Sequence, residues 1–232
     1  MALDKPEATR LQPGGGSVRK GALTVLQVMQ DAPVIPVIVL NDVAHAVLMA
    51  RALVAGGVRI LEVTLRTPQA LACMEAIARD VPEAVLGAGT VRSAADAQAA
   101  VMAGARFAVS PGYTHQIGQA CRDLGLPLLP GVATGSEILM CQEDGWTELK
   151  FFPALQAGGV AMLKAFGGPF GEVKFCPTGG VTLANAPEFL ALPNVLCVGG
   201  SWLVPADALA NGDWARITRL AQETRNLRSA SA

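Results

Sequence analysis

A closed (β/α)8 barrel with an N-terminal helix is the fold class this sequence predicts, and three observations predict it. Short apolar or β-branched runs alternate with alanine-rich stretches of helical spacing. Eight such pairs follow one another at intervals of roughly twenty residues, and parallel strands need crossovers of that kind. The strand runs are apolar on both faces, as in a parallel sheet covered by helices. An open doubly wound sheet of similar content is the alternative; eight near-equal units favour closure. The chain has 232 residues, and no linker interrupts residues 20–232, so these read as one barrel domain. Residues 1–19 hold Pro6, Pro13 and Gly14-Gly15-Gly16 and read as a flexible tail.

The elements follow in order. Residues 20–30 (KGALTVLQVMQ) suit a short helix that ends before Pro33. The first strand is expected over 34–40, and its helix over 43–55 stops at Gly56-Gly57. The second strand spans 58–65, with a helix from Pro68 to about Arg79. The third and fourth units are 84–88 with 93–103, and 107–110 with 114–124. The fifth and sixth are 127–130 with 136–142, and 147–152 with 159–166. The seventh is 173–177 with 183–190, and the eighth is 195–198, followed by 205–210 and a last helix over 213–227.

Composition excludes several functions. The net charge is −1 and no basic run occurs, so nucleic acid is not an expected partner. Aromatic residues are 5% of the chain, too few for a base-stacking platform. The five cysteines form no CxxC motif and read as reduced core thiols. The two histidines, His45 and His115, have no metal-binding neighbours in sequence, so neither metal nor cofactor is expected. The first residues carry Asp4, Lys5, Pro6 and Glu7 where a secretory signal would be apolar, and no apolar run reaches a membrane span. A cytoplasmic location is the expectation.

One residue breaks the apolar pattern. Lys150 stands within Leu149-Lys150-Phe151-Phe152-Pro153, and lysine is rarely buried without a partner. Burial disfavours the charged ammonium. A neutral amine attacks carbonyl carbons to form Schiff bases. The alternative is a strand end from which the ammonium reaches water.

Barrel active sites lie at the C-terminal ends of the strands, and polar residues collect there in this chain. In Leu61-Glu62-Val63-Thr64-Leu65-Arg66 the period of two puts Glu62, Thr64 and Arg66 on one face. That face either points a carboxylate and a guanidinium at the barrel mouth or holds a structural Glu62–Arg66 ion pair. Strand three ends in Gly87-Ala88-Gly89-Thr90, and strand four in Ser110-Pro111-Gly112, a candidate pocket wall. Phe152 shares the parity of Lys150. Strand seven ends in Thr178-Gly179-Gly180 and strand eight in Gly199-Gly200-Ser201. Glycine pairs after the last two strands match the phosphate site common in this fold, where exposed N–H groups bind the anion. Trp202 and Tyr113 fall near loop tops, where packing and pocket roles look alike.

Together these residues resemble a known family. VRILEVTLRT (58–67), VLGAGTV (85–91), FAVSPG (107–112), ELKFFPA (148–154), FCPTGGV (175–181) and LCVGGSWLVPADAL (196–209) are similar, in order, to the bacterial 2-keto-3-deoxy-6-phosphogluconate (KDPG) aldolases, many of which also cleave 4-hydroxy-2-oxoglutarate. The likeness covers about 20–228. It implies a metal-free class I aldolase of the Entner-Doudoroff pathway, a homotrimer acting on a phosphorylated 2-keto acid through a lysine Schiff base. By the same resemblance Lys150 is the Schiff-base lysine and Glu62 the general acid/base. Arg66 and Thr90 hold the substrate carboxylate, and Gly179, Gly180, Gly200 and Ser201 the phosphate. A sister aldolase for the C4 epimer, the galactonate compound, is the nearest alternative. A metal-dependent pentose-phosphate epimerase would need ligands this chain lacks. A phospho-ligand binding protein would leave Lys150 and Glu62 unexplained.

Overall fold

The computed structural model describes residues 23–227, so the tail over 1–19 and the first three residues of the predicted 20–30 helix lie outside the described residues. The helix itself is α1 (Val25–Asp31). Its first turn is closed by a capping box: the Thr24 hydroxyl accepts from the Gln27 N–H, and the Gln27 side chain accepts from the Thr24 N–H.

Strands and helices then alternate as the spacing predicts. They are β1 (Val34–Ile38), α2 (Val43–Ala55), β2 (Ile60–Thr64), α3 (Ala70–Asp80), β3 (Val85–Gly89), α4 (Ala94–Met102), β4 (Phe107–Val109) and α5 (His115–Asp123). Next come β5 (Leu128–Leu129), β6 (Gly131–Val132), α6 (Gly135–Glu143), β7 (Glu148–Phe151), α7 (Gly159–Phe166), β8 (Lys174–Pro177), α8 (Ala186–Leu190), β9 (Val198–Gly200), α9 (Ala206–Ala210) and α10 (Trp214–Thr224). Side chains set many of the helix starts. Asp42, Ser93, Thr114, Thr134 and Asp213 each accept a hydrogen bond from a first-turn N–H.

All strand pairs are parallel, in the order β5-β4-β3-β2-β1-β9 and β6-β7-β8. The fifth strand differs from expectation. Pro130 has no N–H to give the ladder and divides the strand into β5, which pairs with β4, and β6, which pairs with β7. The Pro130 carbonyl still accepts from the Lys150 N–H at 2.8 Å, so the strand is continuous through the proline. Bridges at Phe175↔Val195 and Thr178↔Gly199 join β8 to the β9 segment and close the ring at eight strands.

Parity divides the core in two. Outward residues such as Leu61, Val63, Leu86, Leu149, Phe151 and Phe175 pack under the helices in one apolar cluster. Inward residues near the strand starts (Ile35, Ile60, Val85, Phe107 and Leu129) form a second cluster, which Val28 and Met29 of α1 plug from below. The apolar filling therefore occupies the N-terminal end of the barrel and leaves the other end for polar groups. Gly87 is part of the same fit: a Cβ there would stand 2.2 Å from the Phe107 ring, which fills that space instead.

Candidate active site

Above the apolar plug, two inward side chains meet across the barrel. Glu62 comes from the middle of β2 and Lys150 from β7, and both are almost fully buried, at 2% and 4% exposure. Lys150 Nζ lies 3.5 Å from Glu62 Oε1. The ion pair that the sequence left open is thus Glu62 with Lys150, not Glu62 with Arg66, whose side chain is exposed at the rim. Replacing a buried pair by apolar residues is commonly neutral or stabilising. A Lys–Glu pair in a barrel interior is therefore better explained by its chemistry than by stability.

Glycines make the meeting possible. Gly87 is registered beside Glu62 and Gly131 beside Lys150, and neither carries a side chain into the interior. A Cβ on Gly89 would sit 2.3 Å from Glu62 Oε1 and 2.7 Å from its Cγ. Gly89→Ala must therefore displace the carboxylate. Displacement on the ångström scale costs about a hundredfold in rate. The expected outcome is a turnover lower by about that factor in a chain that still melts cooperatively; unchanged turnover would mean that the Glu62 position is not critical.

The rim adds a guanidinium and a hydroxyl. Arg66 Nε donates to Thr90 Oγ1 at 3.2 Å. Thr90 has φ 61, a left-handed conformation that a β-branched residue rarely adopts and that costs about 1–3 kcal/mol. It is held there between two ladder bonds, Leu65 N–H to Gly89 O and Val91 N–H to Val109 O. Strain of this kind concentrates at ligand-binding positions. A cavity of 180 Å³ opens beside these groups, and Arg66, Phe152, Gly179, Gly180, Gly200 and Ser201 all line it. Lys150 lies under the Phe152 ring, 5.2 Å from its centroid.

Gly179 and Gly180 have φ of +102 and +76, a turn open to glycine and strained for other residues. The carbonyls of Thr178 and Gly179 accept from Ala154 and Leu155 N–H groups, and the Gly180 carbonyl accepts from Asn185. Among the described residues, no backbone carbonyl takes the N–H of Gly179 or Gly180. Two free donors in successive positive-φ residues form an anion-binding concavity. The second glycine pair lies within β9 rather than after it. There Gly199 makes room for Thr178, because an added Cβ would fall 2.2 Å from Thr178 Oγ1.

The structure brings most of the predicted residues together. Pro111 stands at the end of β4, its carbonyl 2.5 Å from where a Gly131 Cβ would be. It and Thr90 sit outside the lining of the 180 Å³ cavity, as do Lys150 and Glu62 beneath it. Val37, Val39 and Thr178 also line the cavity and were not assigned from sequence. Thr178 had a readable signal, since it shares the inward parity of Cys176 and directly precedes the glycine pair.

Other candidates fall elsewhere. All five cysteines are buried; burial pushes the Cys121 thiol up to about 11 and Cys141 to about 12, so both are protonated packing residues. Tyr113 donates to Asp144 at 2.5 Å and accepts from Trp146 Nε1 at 2.9 Å. Desolvation and then Asp144 raise its phenol to about 12. Asp144, bonded by Tyr113 and by His115 Nδ1 at 3.0 Å, is held below the usual carboxylate value. A depressed folded-state pKa contributes stability above the unfolded value of about 3.9, lost as pH falls through the folded one. Thermal midpoints of the wild type should therefore fall below about pH 4 more steeply than those of Asp144→Asn. Parallel curves would remove Asp144 from the acid response.

A family model described as KDPG and KHG aldolase matches residues 25–220 of the chain. A 2-dehydro-3-deoxy-phosphogluconate aldolase of Dickeya dadantii is 53% identical over 197 residues, 85% of this chain and 92% of that protein. A KHG/KDPG aldolase of Escherichia coli is 54% identical over 196 residues, 84% of this chain and 92% of its own. The crystal structure of a KDPG aldolase from Legionella pneumophila, with pyruvate captured as a covalent carbinolamine intermediate, superposes with a TM-score of 0.84 at 48% identity. It covers 85% of this chain and 96% of its own.

Proposed function

We propose that this chain, which belongs to the KDPG and KHG aldolase family, carries out its aldolase reaction through Lys150 as Schiff-base nucleophile and Glu62 as proton shuttle. The reaction is cleavage of 2-dehydro-3-deoxy-6-phosphogluconate to pyruvate and glyceraldehyde 3-phosphate, with 4-hydroxy-2-oxoglutarate as a second substrate. The observation that carries the assignment is the buried contact of 3.5 Å between Lys150 Nζ and Glu62 Oε1.

That contact supports the following sequence of steps. Glu62 takes a proton from Lys150, directly or through a water, and frees the amine. The nitrogen attacks the C2 ketone; the carbonyl π pair moves onto oxygen, which takes a proton given up by the attacking nitrogen and becomes the carbinolamine hydroxyl. Glu62 returns the proton as that hydroxyl leaves as water, giving a protonated imine. The carboxylate so formed takes the proton of the C4 hydroxyl while the C3–C4 bond breaks. The bonding pair enters the C2–C3 enamine, and glyceraldehyde 3-phosphate departs. Protonation at C3 and hydrolysis release pyruvate and restore Lys150. Arg66, positioned by Thr90, pairs with the substrate carboxylate. The Gly179–Gly180 donors, Gly200 and Ser201 take the phosphate, and Pro111 and Phe152 wall the reacting end. Remote phosphate binding helps hold the ketone against the lysine.

A pyruvate-release assay on both C4 epimers tests the assignment. The gluconate compound should be the better substrate; faster cleavage of the galactonate epimer would reverse it. Among the described residues no helix is long and apolar enough to cross a membrane. A cytoplasmic homotrimer accompanies the reading, supported by the resemblance to the family. Sedimentation at three times the chain mass of 23.9 kDa is the expected result, and a monomer would contradict it.

A further inference from the structure

Pro111 and Gly112 follow β4, and the backbone ladder stops short of them. The Ser110 N–H donates to the Leu129 carbonyl, but among the described residues no backbone–backbone hydrogen bond involves residues 111–113. Nothing packs over Gly112, where an added Cβ would meet no atom within 4 Å. Yet the loop runs tight against β6. The Pro111 carbonyl comes within 2.5 Å of an ideal Cβ on Gly131, and the strand partner of Gly131 is Lys150. The wall beside the lysine is therefore close-fitting and is not held by its own backbone.

The Tyr113 side chain supplies the hold. It is buried, and its hydroxyl donates to Asp144 Oδ2 at 2.5 Å and accepts from Trp146 Nε1 at 2.9 Å. The Trp146 ring meets the Tyr113 ring edge-on, with centroids 6.4 Å apart. Arg122 fixes the same turn: its guanidinium lies 4.6 Å from the centroid of Trp146 and donates to the Asp144 backbone carbonyl. His115 Nδ1 stands 3.0 Å from Asp144 Oδ2. Gly118 leaves space for the phenol, since a Cβ there would sit 2.5 Å from the Tyr113 hydroxyl. Asp144 and Trp146 lie in the turn between α6 and β7, the strand of Lys150. One hydroxyl thus ties the loop after β4 to the approach of the lysine strand.

We infer that Tyr113 is a positioning residue for the aldol cleavage, whose bond to Asp144 fixes the Pro111–Gly112 loop against Gly131 and keeps that wall in place beside Lys150. The inference deepens the reading above, from which the roles of Lys150 and Pro111 are taken. The groups assigned there to the substrate's carboxylate and phosphate lie beyond β2, β3, β8 and within or after β9, away from this loop. A loosened wall therefore lowers kcat and leaves KM, as expected for a contact that matters in the transition state.

The test is steady-state cleavage of the phosphorylated substrate at 25 °C, together with a melting curve for each protein. Tyr113→Phe keeps the ring and removes the hydroxyl. Its kcat should fall about tenfold, part of the roughly hundredfold that an ångström of misplacement costs, with KM within about twofold. Asp144→Ala should match it. Asp144→Asn keeps an oxygen that accepts from Tyr113, and its kcat should stay within about twofold of the wild type. Tyr113→Phe combined with Asp144→Ala should be no more than about twofold slower than either alone, because both break one bond. A Tyr113→Phe protein that melts lower but keeps the wild-type kcat overturns the inference, as the hydroxyl would then serve stability alone. So does Asp144→Asn as slow as Asp144→Ala. A wild type that fails to cleave the substrate would instead reject the underlying reading.

Discussion

Lys150→Ala is expected to lower turnover by at least about four orders of magnitude, because it removes the covalent route rather than weakening a contact. The same substitution leaves Glu62 buried without its partner, which is destabilising in itself. Loss of activity in this variant alone could follow from that disturbance. Lys150→Arg separates the two explanations. A guanidinium stays charged and can pair with Glu62, but it is never a neutral amine nucleophile. It should melt near the wild type and be as inactive as alanine. Turnover recovered by arginine would make the lysine a structural partner.

Glu62→Gln is expected to slow turnover by about two to four orders of magnitude. The amide keeps the shape and can still accept a hydrogen bond from Lys150, so the site survives while the proton shuttle is lost. Exchange of the pyruvate methyl protons with deuterated solvent should slow in parallel, since it uses the same proton transfer at C3. Covalent capture of pyruvate on Lys150 should persist at a reduced rate. A near-normal turnover would demote Glu62 to the partner that keeps Lys150 buried.

Parity made much of this site legible. A period of two along residues 61–66 turned Glu62 inward, and the same count on 149–152 turned Lys150 and Phe152 inward. Eight strand–helix units then put both near one barrel mouth. Period alone could not say which cation Glu62 would meet. Arg66 shares its strand, but Lys150 reaches it from across the barrel at a distance only the closed ring sets. The role of Gly89 was hidden for the same reason. Its lack of a Cβ matters because Glu62 Oε1 occupies that space, a contact that no local pattern encodes. Pro130 misled in the other direction: it marked the end of a predicted strand, whereas the strand runs through it on its carbonyl. The left-handed backbone at Thr90 has no sequence signal either, because threonine is a residue type that avoids it.

The glycine pairs show where composition informs and where it stops. Both pairs were readable as close-approach positions, and the first is the positive-φ turn with free N–H groups. The second lies inside β9, where Gly199 admits the Thr178 side chain and Gly200 admits the Trp202 ring, 1.8 Å from where a Cβ would be. Gly200 therefore serves packing as well as the cavity. That ring in turn lines a second cavity of 640 Å³, which shares Val37, Val39 and Ser201 with the first.

Borohydride reduction in the presence of pyruvate, followed by peptide mass mapping, shows whether the buried lysine forms an imine with a 2-keto acid. One N-(1-carboxyethyl) group is expected, located on Lys150 and absent when pyruvate is omitted. No adduct, or an adduct on Lys164 or Lys174 with Lys150 unmodified, would contradict it.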